Sequence, residues 1–334
     1  MKQRVVNHLN HALDTIMEND QSVILIGEDL LDPYGGAFKV TKGLSTKYKD
    51  RIISTPISEA SIIGHGIGMA MAGMRPIVEI MFGDFLTLCT DQIINHAIKY
   101  NWMYNDKVKI PLVIRTAVGG GRGYGPTHSQ TIESLYIGAP GLQIVAPNIV
   151  CDIEKLLYES VYLDSPTLFI ENKLLYPKYS FQEDSKKLEN FQLRSFGEKF
   201  PTFLLSTNNF EQADVTVVTY GSMLETIIDI ANTLYVDDEI LVEIIAPTQI
   251  KPFNIKPILD RFEMSQLLVT VEEGHVSGGW GQNLIGVLSN HSISFNKPPQ
   301  SIGALGYPLA NTKALEEKIL PSNDRILHTI LELI

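Results

Sequence analysis

Short apolar runs alternate along this chain with longer segments whose apolar positions recur every three to four residues. Val5, Val6, Leu9, Leu13 and Ile16 fall on one face of a helix over Val5–Met17. Val23–Gly27 is a continuous apolar run ending in glycine, the pattern of a strand buried on both faces of a parallel sheet. Further strands are predicted at Ile52–Thr55, Pro76–Met81, Leu112–Arg115, Leu142–Ala146 and Thr167–Ile170. Helices are predicted after Glu59, over Phe82–Tyr104 and over Val150–Tyr162. Alternating strands and helices mean an α/β fold with a mainly parallel sheet.

The pattern breaks between Tyr176 and Gln212, where Pro177, a charged run (Glu183, Asp184, Lys186, Lys187, Glu189) and Thr207-Asn208-Asn209 read as an irregular linker. It resumes with strands at Val215–Tyr220, Ile240–Ile245 and Leu267–Val271, and helices at Met223–Leu234 and Asp324–Leu333. The expected organisation is a first domain over 1–180, a linker over 181–212 and a smaller α/β domain over 213–334.

Composition narrows the function. The 334 residues suffice for two domains and carry a net charge of -11. With a pI near 5.2 and no basic cluster, nucleic-acid binding is excluded as an expectation. Cys89 and Cys151 stand far apart in apolar surroundings, as reduced core cysteines of a cytoplasmic protein do. The N-terminal stretch has no signal-peptide core, and no apolar run is long enough for a membrane span. Ile62–Met74 is apolar and glycine-rich and reads as a buried helix.

Two residues stand out chemically. Glu59, in Thr55-Pro56-Ile57-Ser58-Glu59-Ala60, precedes that glycine-rich helix. A carboxyl buried there is costly as an anion and suited to sharing a proton with a heterocyclic nitrogen. A glutamate in a helix first turn also simply complements the helix dipole. His128 follows Gly119–Gly125, a loop with five glycines in seven residues after a predicted strand. The loop fits neither the dinucleotide nor the P-loop fingerprint, and a lone histidine is commonly structural. Its place after a parallel strand is nonetheless where α/β proteins put function. Gly-x-Ser-x-Gly, His-Glu-x-x-His and zinc-spaced Cys/His sets are absent. The adjacent acids Glu28-Asp29 read as part of a loop.

A family resemblance is carried by motifs falling in order: Ile26-Gly27-Glu28-Asp29, Tyr34-Gly35-Gly36, Thr55–Ala60, Gly66-x-Gly68-Met69-Ala70, Arg75-Pro76-x-x-Glu79, Phe82-x-Asp84-Phe85, Asp91-Gln92-Ile93, His128-Ser129-Gln130, Pro140-Gly141-Leu142, Thr219-Tyr220-Gly221-Ser222 and Val271-Glu272-Glu273-Gly274. Over nearly its whole length the chain resembles the beta subunit of the thiamine-diphosphate-dependent E1 component of 2-oxo acid dehydrogenases, within the transketolase-like superfamily. The resemblance implies a pyrimidine-binding domain followed by a transketolase C-terminal-like domain. It implies that Glu59 hydrogen-bonds the pyrimidine nitrogen N1′ and so activates thiamine diphosphate. It implies that Phe85 stacks on the aminopyrimidine, that Met81 walls the same pocket and that His128 handles protons near the reacting carbon. On the residues alone, Phe85 and Met81 read as ordinary core packing. It further implies a monovalent cation such as K⁺, held by the main-chain carbonyls of Leu112, Ser160, Val161, Leu163 and Ser165.

The superfamily's Gly-Asp-Gly motif for the diphosphate and Mg²⁺ is missing. The resemblance therefore implies an alpha subunit that brings the Mg²⁺ site, in an α2β2 heterotetramer. The expected reaction is oxidative decarboxylation of a 2-oxo acid, with acyl transfer to a lipoyl-type acceptor such as a lipoyl-bearing E2. The alternatives are a split transketolase or carboligase, including acyl or ketol transfer to a carrier protein in a specialised biosynthetic pathway, and a non-catalytic regulatory partner of the same fold. Gly64-x-x-x-Gly68 permits close helix contact, either at a subunit interface or within the domain. The chain departs from the family pattern at Trp102–Lys107, in the histidine loop Gly121–Thr127, at Ile245–Gln249 and at Gly303–Pro308. These departures leave Glu59 and His128 intact and bear on the acyl acceptor and on docking to a lipoyl carrier or E2 core.

Overall fold

The computed structural model describes residues 3–181 and 185–334; Glu183 and Asp184 of the charged run lie outside the described residues. The chain divides into two compact units. The first comprises Met1–Val118, Leu135–Pro147 and Cys151–Ser180; the second comprises Gly119–Ser134, Asn148–Val150 and Phe181–Ile334. The glycine-rich loop with His128 thus belongs to the second unit, although the sequence pattern groups it with the first.

The strands of the first unit are β1 (Val23–Gly27), β2 (Ile52–Ser54), β3 (Arg75–Ile80), β4 (Val113–Val118), β5 (Gln143–Val145) and β6 (Thr167–Asn172). They pair in parallel in the order β5-β6-β4-β3-β1-β2. Every residue of β4 and β6 is buried, which accounts for their apolar runs Val113-Ile114 and Leu168–Ile170, and the polar residues among them, Arg115 and Glu171, pair with each other. The helix Val5–Asn19 buries Leu9, Leu13, Ile16 and Met17 on the stripe its periodicity predicts. The helix Glu59–Met71 lies against β3, and its close approach is set by Gly66: a Cβ there would stand 2.7 Å from Val78 Cγ2. Gly64 and Gly68 have open space instead and share an exposed face with Ser61, His65 and Met71. They do not serve packing within this unit, and the helix has one solvent-facing side rather than being buried all round.

Phe82–Tyr104 is not one helix. It runs as a 3₁₀ turn over Gly83–Cys89, a π-helical stretch over Gln92–Ala97 and an α-helix over Ile98–Met103. Side-chain hydroxyls compete for its carbonyls: Thr87 Oγ1 donates to Asp84 O at 2.9 Å, Thr90 Oγ1 to Leu86 O at 3.3 Å, and Tyr136 Oη to Leu86 O at 2.7 Å. Such irregular turns often accompany functional sites.

The stretch expected as an irregular linker, 181–212, carries an antiparallel hairpin, β7 (Gln192–Phe196) and β8 (Thr202–Ser206). β8 is buried throughout and pairs antiparallel with β10 (Val242–Pro247). Only three consecutive apolar residues, Phe203–Leu205, mark it in the sequence. With β9 (Val215–Thr219), β12 (Leu267–His275) and β13 (Gln300–Ala304), the sheet of the second unit runs β13-β12-β9-β10-β8-β7. Its first four strands are parallel. A further short strand, β11, covers Gln249–Lys251. Helices Met223–Asp237 and Asn323–Leu333 pack together, and Trp280–Asn290 packs on β12. Among the described residues no helix is long and apolar enough to cross a membrane.

Candidate active site

Three neighbouring parallel strands of the first unit, β2, β1 and β3, end on the same edge, and the chain that leaves them carries the candidate residues. Carboxyl ends of parallel strands are where open α/β sheets hold ligands. β1 delivers Glu28. β2 leads through Thr55-Pro56 to Glu59, the first residue of its helix. β3 leads through Met81 to the 3₁₀ turn that carries Phe85 and Cys89, and the Glu59 helix packs on that turn. Burial pushes the Cys89 thiol up to about 12, and the charges of Glu59 and Glu28 add to the shift. The three groups are therefore close neighbours.

Glu59 is 6% exposed, and its carboxyl makes no hydrogen bond to any described residue. A buried polar group normally finds a partner, so one left without marks a place for a ligand atom. Met81 and Phe85 are half-buried, each keeping an accessible surface, as pocket walls do. Phe85 is held edge-on by Phe82, ring centroids 6.1 Å apart. These three predicted residues all lie in the first unit.

Sequence reasoning missed Glu28. It is buried, its Oε1 has no partner, and burial raises its pKa, helped by the charges of Glu59 and Asp29. The signal available was its place directly after a buried strand, not its neighbour Asp29.

The central strands of this unit carry a largely buried ionic network. Arg115 of β4 donates Nε to Glu171 Oε1 at 2.7 Å, Nη2 to Glu171 Oε2 at 2.8 Å and Nη1 to Glu79 Oε2 at 2.9 Å. Tyr176 Oη donates to Glu171 Oε2 at 2.8 Å. Register places Arg115 directly beside Glu79. Met81 and Phe38 border the same network.

The five carbonyls expected to bind a monovalent cation are already engaged in part. Arg75 Nη1 donates to Val161 O at 3.0 Å and Leu163 O at 3.3 Å, and Leu112 O accepts the Thr167 N–H at 2.8 Å. The Arg75 guanidinium therefore competes with a cation for two of those oxygens. Among the described residues no group of three His, Cys, Asp or Glu side chains could hold a metal.

In the second unit His128 is half-buried and Thr127 Oγ1 lies 3.1 Å from its Nδ1. A cavity of about 430 Å³, lined by Gln130, Thr131, Glu273, His275, Tyr307 and Pro308 among others, borders the far limb of the loop. Just beyond, Glu133 is 2% exposed and accepts from Tyr220 Oη at 2.5 Å, while its Oε2 has no partner. Burial raises Glu133 to about 7, and the charges of Glu272 and Glu273 add to the shift. An acid whose folded pKa lies above its unfolded value loses stability as pH rises from the unfolded pKa, near 4.5, to the folded one. Glu133→Gln removes that slope. Denaturant midpoints are expected to match wild type near pH 4.5, with the variant more stable by on the order of 2 kcal/mol at pH 7.5. A stability difference that does not change with pH would contradict this.

Comparison with known proteins agrees with the geometry. Residues 2–178 match the family described as transketolase, pyrimidine binding domain, and residues 209–326 match transketolase, C-terminal domain. The beta subunit of acetoin:2,6-dichlorophenolindophenol oxidoreductase from Cupriavidus necator is 33% identical, covering 95% of this chain and 93% of its own length. The mitochondrial pyruvate dehydrogenase E1 component subunit beta of Dictyostelium discoideum is also 33% identical, covering 96% and 88%. The structure of a split-gene transketolase, described as an inactive beta4 tetramer, shares the fold with a TM-score of 0.75 at 18% identity, covering 99% and 98%. Two transketolase-type domains in this order, with full-length similarity to both relatives, place the chain in the E1 beta subunit family of pyruvate and acetoin dehydrogenases.

Proposed function

We propose that this chain forms the pyrimidine-side half of a two-chain thiamine diphosphate site, in an E1-type enzyme that decarboxylates a 2-oxo acid and passes the acyl group to a lipoyl-type acceptor. Thiamine diphosphate is the cofactor of the family. The observation that carries the reading is the buried Glu59, without a hydrogen-bond partner at the start of a helix that packs on the turn carrying Phe85. When bound, the cofactor supplies the carbon nucleophile and takes up the electrons released with CO₂. Glu59 holds a proton against the pyrimidine nitrogen, Phe85 offers a ring face for stacking, and Met81 keeps water from that side. His128 exchanges protons with the reacting substrate.

The chain carries no Gly-Asp-Gly, so the diphosphate and Mg²⁺ are assigned to an alpha subunit, and the working assembly to an α2β2 heterotetramer. The relatives are themselves named as beta subunits. Both cysteines are buried and outside any disulfide, which supports a reducing compartment, and we assign the chain to the cytoplasm.

The test is turnover of the purified alpha–beta complex on a panel of 2-oxo acids with an artificial electron acceptor. Sugar phosphates serve as the rival donor class for ketol transfer. In that assay His128→Ala is expected to lower kcat by about 10²-fold or more while leaving cofactor affinity unchanged. Normal turnover by the variant would remove His128 from its role. Turnover on sugar phosphates alone would replace the dehydrogenase reading with the transketolase one.

A further inference from the structure

Four of the five glycines of the His128 loop, at 119, 121, 123 and 125, have positive φ between 70° and 96°. Gly120 does not, and it is needed for a different reason. A Cβ there would stand 2.8 Å from Glu316 Oε1 and 2.8 Å from Leu320 Cδ1. Glu316 is fully buried on the helix Lys313–Ile319, and its Oε2 accepts the Gly123 N–H at 2.8 Å. A second carboxylate, Glu273 near the end of β12, accepts the Gly120 N–H at 2.7 Å and the Thr131 hydroxyl at 3.1 Å through Oε1. One oxygen of Glu273 therefore joins both limbs of the loop, where Gly119 N–H also donates to Gln130 O at 3.2 Å.

A glycine-rich loop has large conformational freedom, and its amide donors need acceptors. Such loops often leave those amides free to cradle an anion. Here the protein's own buried carboxylates take two of them, so the loop is held rather than prepared for phosphate. We propose that Glu273 and Glu316 are positioning residues. By accepting the Gly120 and Gly123 amides they set a single conformation of residues 119–131, and that conformation places His128. Charge-assisted acceptors suit this task because their bonds are shorter and stronger than neutral ones. In this role both act through the loop.

The proposal rests on the reading of His128 above, and its test separates the two. In the alpha–beta complex, amide hydrogen exchange of the 119–131 peptide, kcat, KM and proton exchange at the cofactor's C2 are compared for wild type, Glu273→Ala, Glu273→Gln, Glu316→Ala and Glu316→Gln. The alanine variants are expected to exchange the loop amides about tenfold faster or more, and to lose about tenfold or more in kcat. KM and C2 exchange should stay near wild type. The glutamine variants keep an acceptor oxygen and should recover most of both losses. Thr131→Val, which removes one bond without emptying a buried site, gives a smaller change in the same direction and serves if an alanine variant does not fold. Gly120→Ala, which drives Glu316 aside, should reproduce Glu316→Ala. Unchanged loop exchange in the alanine variants, or a faster loop with unchanged kcat, would overturn the proposal. A loosened loop combined with a His128→Ala complex of normal turnover would uphold the clamp on the loop and reject the role of His128.

Discussion

Glu59→Gln is expected to slow proton exchange at thiamine diphosphate C2, and turnover with it, by about 10² to 10⁴-fold in the alpha–beta complex. Gln keeps the size of the side chain and can still reach a ring nitrogen, so the site should keep its shape. What it lacks is a carboxyl able to hold the shared proton. The stability consequence is small. Glu59 has no hydrogen-bond partner among the described residues, so replacing it breaks no bond within the fold. Loss of its favourable placement in the first helical turn costs about 0.3–1 kcal/mol. The melting temperature of the chain should therefore barely move while the chemistry collapses. Large losses in both would mean that Glu59 is a structural residue, the plainer of its two readings in the sequence.

Arg115→Leu should do the reverse, destroying stability with no direct effect on a ligand. Arg115 is 1% exposed and binds both carboxylate oxygens of Glu171 and one of Glu79. Burial pushes Glu79 up, and the Arg115 charge opposes that shift. Removing the guanidinium strands two acids in the core. Breaking a buried pair in this way costs about 3–5 kcal/mol, a large part of a domain's typical stability of about 5–15 kcal/mol. The variant is expected to yield little folded protein at neutral pH. A triple variant with Glu79→Gln and Glu171→Gln should recover much of the loss, because no unpaired charge remains. Chemical denaturation of the three proteins decides this. An Arg115→Leu chain as stable as wild type would show the network to be expendable.

Elements with strong periodicity were legible in the sequence. β1 occupies Val23–Gly27 as its apolar run indicates, and the helix at Val5 ends only two residues beyond its apolar stripe. The Glu59 helix was legible for the same reason. Tertiary competition erased the rest. The π-helical stretch at Gln92–Ala97 follows a turn whose carbonyls are taken by Thr87, Thr90 and Tyr136, partners that no local pattern reveals. The β7–β8 hairpin hid in a stretch of charges and prolines because β7 is mostly exposed, with only β8 in the core. In the site, Glu59, Met81 and Phe85 were reached through motif order. Glu28 and Glu133 were not, since their burial depends on the fold around them. The loop's attachment to the second unit through Glu273 and Glu316 joins positions 153 and 193 residues apart, beyond the reach of any periodicity.

The central claim is that this chain holds one end of a cofactor whose other end belongs to a second chain. Titration of thiamine diphosphate with Mg²⁺ into the isolated chain and into the alpha–beta complex tests it directly. The complex should bind at least about 100-fold more tightly, a difference of about 2.7 kcal/mol. Tight, Mg²⁺-dependent binding by the isolated chain would contradict the claim.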